Sequence, residues 1–150
     1  DGSHTIKLDA SDYDGNAAGT SSTSFKVDTV PPTLTLSSPA DKLVTNVASC
    51  TVKGTTSDAT SSPVTVTVKL NSGAAEAVTV GSDGSFSKAL TLAEGTNTII
   101  VVAKDGAGKT TTVTRTVTLN TVAPTIKSVT ITPNPVDCGK TFVISVEVTN

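Results

Sequence analysis

The sequence predicts an all-β chain, with one complete β-sandwich module flanked by two partial ones. Three observations predict this. Thr, Val and Ser dominate while charged residues are only 16% and aromatics 3%, a composition that suits pleated, half-buried surfaces. Turn signals recur every 8–12 residues with no helical periodicity between them. The stretch from Glu94 to Thr125 has a degraded copy at the start of the chain, from Gly2 to Thr33.

Residues 1–30 read as the last two strands of a preceding module. Ile6, Leu8 and Ala10 share one face while Thr5, Lys7 and Asp9 take the other, the period-2 signature of a half-buried strand. A turn-rich loop, SDYDGNAAGT, leads to a second strand, Thr23 to Asp28, with Phe25 and Val27 on one side. Two strands are not independently stable, so this hairpin needs strands from elsewhere.

Val30-Pro31-Pro32 is a stiff junction, since each proline fixes φ and removes a donor. A complete module is expected over 31–123, with strands at 33–37, 47–55, 64–70, 77–80, 85–92, 97–104 and 110–119. Between them lie Ser-Pro, Ser-Asp-Ala-Thr, Asn-Ser-Gly, Ser-Asp-Gly, Glu-Gly and Asp-Gly-Ala-Gly turns. Seven short strands in roughly 90 residues is the pattern of a sandwich. After Val122-Ala123-Pro124 the chain starts again: 124–150 reads as the first two strands of a following module, with Phe142, Ile144, Val146 and Val148 on one face. Asp105 lies 93 residues after Asp12, and Thr121 lies 92 after Thr29. That period is the size of one sandwich domain, so the array is one of beads rather than a solenoid.

The net charge is -2 and the pI near 5.2, with Lys and Arg scattered, so the clustered positive charge that nucleic acid requires is absent. No apolar run approaches the roughly 18 residues of a membrane helix. The chain opens on Asp with no Met and no signal peptide, which reads as a mature, processed or excised chain. Two cysteines are too few for a disulfide framework and lack metal-ligand spacing.

Particular stretches carry a family resemblance: PPTLTLSSPAD, TVKGTTSD, VTVTVKLN, DGSFSKALTLAEGTNTIIVVAKDGAGKTTT and NTVAPT. They resemble the bacterial immunoglobulin-like repeats, particularly those similar to domain B of glucodextranase. The resemblance covers about 31–124, with the flanks as fragments, and implies immunoglobulin-like β-sandwich repeats. Such domains occur in secreted enzymes, adhesins, surface-layer proteins and phage tail proteins, which implies an extracellular or cell-surface location. Lys109 departs from the pattern, because the family usually has Asn in that turn.

No catalytic constellation and no cofactor motif is present. His4, the single histidine, lacks an acid and a nucleophile near it in sequence, and the carboxylates show no pairing. Calcium is the one cofactor to consider. Asp12, Asp14 and Asn16, with Asp28 near the exit of the hairpin, offer hard oxygens at alternate positions, although the twelve-residue EF-hand pattern is absent. The equivalent loop at Asp105 has lost the second acid and reads as weaker. Cys50 shares a face with Ala48 and Val52 and reads as a buried, inert thiol, whereas Cys138 lies in a turn where an intermolecular disulfide is conceivable. A covalent cross-link needs a buried Lys, and Lys53, Lys69 and Lys104 fall on outward faces. One Tyr and three Phe disfavour carbohydrate recognition.

Comparison of the two copies yields an interaction surface. Inward Ile6, Leu8 and Ala10 correspond to Ile99, Val101 and Ala103, but outward Lys7 and Asp9 become Ile100 and Val102. Beside them runs a Thr row at Thr112, Thr114, Thr116 and Thr118. Branched hydrophobes on a face that should meet water mark a packing surface for another module or subunit.

The expected role is non-catalytic: a structural or spacer module of a secreted or cell-surface bacterial protein. Its partners are neighbouring immunoglobulin-like modules or other copies of the chain, assembled end to end by strand exchange across open sheet edges. The alternatives are an accessory domain of an extracellular polysaccharide-degrading enzyme, and a recognition module of an adhesin or phage tail.

Overall fold

The chain is described here by a computed structural model covering residues 1–132, 134–135 and 137–149. The strands are β1 (Gly2–Leu8), β2 (Ser21–Val27), β3 (Thr33–Ser38), β4 (Leu43–Thr45), β5 (Ser49–Ser57) and β6 (Thr65–Leu70). They continue with β7 (Glu76–Val78), β8 (Ser85–Thr91), β9 (Gly95–Lys104), β10 (Thr110–Leu119), β11 (Thr125–Thr132) and β12 (Val143–Thr149). No helix occurs among the described residues.

Between Thr33 and Leu119 two sheets stack. One has the order β3-β5-β8, the other β4-β10-β9-β6-β7. Every pairing is antiparallel except β4 with β10, which run parallel through Leu43–Val117, Val44–Thr118 and Thr45–Leu119. β4 is absent from the sequence-based expectation, because three residues are too few to show an alternation. The other strands of the sandwich lie where the alternation puts them, within a few residues at the ends.

The core is built by that alternation. Asn97, Ile99, Val101 and Ala103 of β9 point inward, with Val66 and Val68 of β6, Val117 and Leu119 of β10, Cys50 and Val52 of β5, and Leu36, Phe86 and Leu92 opposite. Fully burying a Val or Ile side chain is worth about 1.5–3 kcal/mol, so this set supplies most of the driving force.

Each sheet also carries a feature the hydrophobic pattern does not show. Asn97 is completely buried on the five-stranded sheet. Its Nδ2 donates to the carbonyls of Ala93 (2.7 Å) and Gly95 (3.0 Å), while its Oδ1 accepts from the Ala93 N–H (3.0 Å) and from Asn71 Nδ2 (3.0 Å). On the three-stranded sheet Gly54 sits directly opposite Leu36 on one side and Phe86 on the other.

Cys50 is buried and unpaired, and burial pushes its thiol pKa above the ordinary value, whereas Cys138 is exposed. The thiolate is the reactive form, so an aromatic disulfide reagent is expected to titrate Cys138 rapidly in the folded chain and Cys50 only after denaturation. Absorbance of the released thiol checks this, and Cys138→Ser leaves the native chain nearly unreactive.

Outside the sandwich, β1 and β2 form one antiparallel hairpin and β11 and β12 another. Their apolar residues are exposed: Ile6, Leu8, Phe25 and Val27 on the first, Val129, Ile131, Ile144 and Val146 on the second.

The internal repeat is visible in backbone geometry. In the β1–β2 loop the Asp12 N–H donates to the Asn16 carbonyl, the Gly15 N–H to the Asp12 carbonyl, and the Asn16 N–H to Asp12 Oδ1. The β9–β10 turn repeats all three bonds at Asp105, Gly108 and Lys109. Gly15 and Gly108 share the left-handed conformation, with φ of 86° and 87°. Lys109 substitutes for Asn here because the turn uses that residue's backbone amide and carbonyl. Only Asn16 adds a side-chain bond, from Nδ2 to Asp12 Oδ2 at 2.8 Å.

Candidate metal centre

The strongest concentration of charge lies where the first linker meets the sandwich. Asp28 follows β2, Asp58 lies in the loop after β5, and Asp105 opens the β9–β10 turn. One carboxylate oxygen from each comes within 4.8 Å of the other two. Backbone amides fix all three side chains. Val30 N–H donates to Asp28 Oδ1 (3.1 Å), Thr60 and Ser61 N–H to Asp58 Oδ1 (2.8 and 2.7 Å), and Lys109 N–H to Asp105 Oδ1 (2.8 Å). The Gly106 N–H donates to the Ser61 carbonyl at 3.1 Å and ties the two sandwich loops together.

This leaves oxygens without partners. Asp28 Oδ2 and Asp105 Oδ2 are buried and have no hydrogen bond among the described residues, and Asp105 as a whole is 5% exposed. Neither described ion pair reaches them, since these join Lys88 to Glu76 and Lys127 to Glu147. Unit charges of one sign at that spacing repel by about 3 kcal/mol per pair at an effective dielectric of about 20. A divalent cation bound by oxygen ligands is the group that removes such repulsion.

The structure separates the residues that sequence spacing groups as a calcium site. Gly2 pairs with Val27 at one end of the first hairpin and Leu8 with Ser21 at the other. Asp28 therefore sits at the opposite end from Asp12, Asp14 and Asn16. In the Asp12 loop the carboxylate is already engaged: Oδ1 accepts from the Asp14 and Asn16 amides, and Oδ2 from Asn16 Nδ2. The Asn16 side chain, followed by its amide, holds the Asp12 carboxyl below its ordinary pKa. Asp58 and Asp105 join Asp28 instead, and only tertiary structure brings those two loops together.

Ile100 and Val102 lie on the outward face of the five-stranded sheet, each half-buried by its neighbours. Ile100 stands between Thr114 and Lys69, and Val102 between Thr112 and Thr67. Thr116 stands opposite Thr98 on the same face. The result is a Thr-rich face that carries two half-buried branched hydrophobes. A cleft of about 610 Å³ opens near Val64, Val66, Val78 and Val80, and none of its lining residues is aromatic. No helix is long and apolar enough to cross a membrane among the described residues.

The model of the family described as glucodextranase, domain B, matches residues 32–121, which span both sheets of the sandwich. The chain belongs to the glucodextranase domain B family. Curated proteins give no significant match. Among solved structures, the fibronectin(III)-like modules of Clostridium thermocellum CbhA align at 22% identity with a TM-score of 0.48, over 79% of this chain and 63% of theirs. A tetra-tandem repeat in the extending region of a large adhesion protein aligns at 22% identity with a TM-score of 0.47, over 97% of this chain and 45% of that one. The chain spans less than two thirds of either structure. For this member of the domain B family, family and fold agree on an immunoglobulin-like sandwich.

Proposed function

We propose that this chain is a non-catalytic spacer segment of a secreted or cell-surface bacterial protein, made of one full module, 31–123, and parts of two others, 1–30 and 124–150. One observation carries the reading: the two linkers are built alike. Asp1 Oδ1 accepts from the N–H and Oγ1 of Thr29 (2.8 and 2.9 Å), and 93 residues later Glu94 accepts from the N–H and Oγ1 of Thr121. Asp28 Oδ1 caps Val30 N–H, and Asn120 Oδ1 caps Val122 N–H at 3.0 Å. Each bead thus clamps its own exit strand before the proline-bearing junction, which is the construction a rod of repeated modules needs.

The test is the order of the linkers in the full chain. The amides of Thr29, Val30, Thr121 and Val122 are expected to show relaxation order parameters near those of the strands, about 0.85. Values below about 0.6 in both linkers overturn the spacer reading. Glu94→Ala is expected to loosen Thr121 and Val122 and leave Thr29 unchanged.

The bare faces of the two hairpins support a finer statement. Ile6, Leu8, Phe25 and Val27 are the counterparts of a β9–β10 face, and Ile131, Ile144 and Val146 of a β3–β5 face, so the two would complement each other from opposite ends of successive modules or chains. End-to-end assembly of copies by strand exchange would appear as concentration-dependent growth in sedimentation velocity. The family name supports a second reading, as an accessory domain of a polysaccharide-degrading enzyme, with any catalytic residues outside these sequences.

A further inference from the structure

We infer that Asp28, Asp58 and Asp105 bind one calcium ion, which fastens the first linker to the sandwich. Three features converge on this. All three ligand oxygens lie within 4.8 Å of one another. Calcium–oxygen distances are about 2.3–2.6 Å, so two oxygens on opposite sides of one ion stand about 4.6–5.2 Å apart, and the cluster fits around a single ion. Asp105 is 5% exposed with Oδ2 unpartnered, and Asp28 Oδ2 is buried and unpartnered beside it. The remaining oxygens are held by backbone amides, so the free ones are oriented before any ion arrives.

The chemistry selects the ion. Every donor is a hard carboxylate oxygen, with no His or Cys in the cluster, which disfavours zinc and softer metals. Magnesium demands a compact octahedron and parts reluctantly with its water, whereas calcium accepts several carboxylates in irregular geometry with water completing the shell. The ligands come from both sides of the junction, so binding would join linker and sandwich directly. That consequence rests on the array reading, whereas binding itself does not.

Calorimetric titration of the full chain with CaCl2, after chelator treatment, is expected to give one saturable site with Kd on the order of 10⁻⁴ M, the range of extracellular modules. Calcium is also expected to raise the melting temperature seen by circular dichroism. Asp105→Asn keeps the acceptor for Lys109 N–H but removes a charge. It is expected to weaken binding at least tenfold, and to melt at or above the wild-type temperature in EGTA because repulsion falls. Asp28→Asn is expected to behave likewise. Asp14→Asn, in the other acidic loop, is expected to bind as wild type does. No saturable heat up to about 5 mM, well above that range, would overturn the proposal. So would wild-type affinity in Asp28→Asn and Asp105→Asn, or loss of binding in Asp14→Asn. The linker order parameters, measured separately in EGTA, decide the spacer reading whatever calcium does.

Discussion

Asn97→Ala is expected to cost about 3 kcal/mol of stability, because it removes a fully buried amide that makes four hydrogen bonds at once. The side chain is fully buried and closes the corner between β8 and β9 from inside. Without it the Ala93 N–H and the Ala93 and Gly95 carbonyls lose their partner, and Asn71 Nδ2 loses its acceptor. Each unsatisfied buried polar group costs about 1–3 kcal/mol, partly relieved if water enters the vacated space. For a domain of this size the loss corresponds to a melting temperature lower by roughly 15 °C. Asn71→Ala serves as comparison. Asn71 is exposed and also accepts the Thr98 N–H, so its removal is expected to cost about 1 kcal/mol. Equal losses in the two variants would show that Asn97 does not organise the corner. Chemical denaturation followed by circular dichroism distinguishes them.

Gly54→Ala is expected to destabilise the sandwich by about 3 kcal/mol, for the opposite reason. A Cβ at this position would lie 2.3 Å from the Thr35 carbonyl oxygen, 2.7 Å from Phe86 Cζ and 3.0 Å from Leu36 Cδ2. The ring can turn aside, but the carbonyl belongs to the paired backbone of β3. Strand β3 is therefore expected to separate from β5, with fast amide exchange between Thr33 and Ser38. Adding Phe86→Leu removes the ring contact alone. If the carbonyl dominates, the double variant recovers little beyond Phe86→Leu by itself. Full recovery would instead identify the ring as the obstacle.

Both positions show where sequence reading succeeds and where it stops. The alternation in β5, β6, β8, β9 and β10 identifies the inward hydrophobes directly, because side chains on a strand have a period of two and one face of each sheet is buried. Asn97 takes an inward place in that same alternation. Its polarity hides it, since a buried amide is justified only by partners that the folded corner provides. Gly54 is legible as a residue within a strand, but the ring covering it comes from β8. The acidic cluster is the hardest case. Asp12, Asp14 and Asn16 attract notice because they are adjacent, and their oxygens are used within their own turn. Asp28, Asp58 and Asp105 are scattered in the chain and meet only when loops from both sheets and the linker converge. Comparison of the two copies still contained a usable signal: Asp105 has kept its acid, while its loop has lost the neighbour that made the Asp12 loop conspicuous.

The short parallel pairing of β4 with β10 has a mechanical meaning. Tension entering near Thr33 falls first on β3, and once β3 parts from β5 it pulls β4 and β10 in opposite directions along their length. The bonds between Leu43–Thr45 and Val117–Leu119 then bear the load together, in shear, instead of opening one by one. Two bonds extend the seam, from Thr116 N–H to Asp41 Oδ1 (2.9 Å) and from Asn120 N–H to the Thr45 carbonyl (2.9 Å). This short seam is therefore the expected mechanical clamp of the bead.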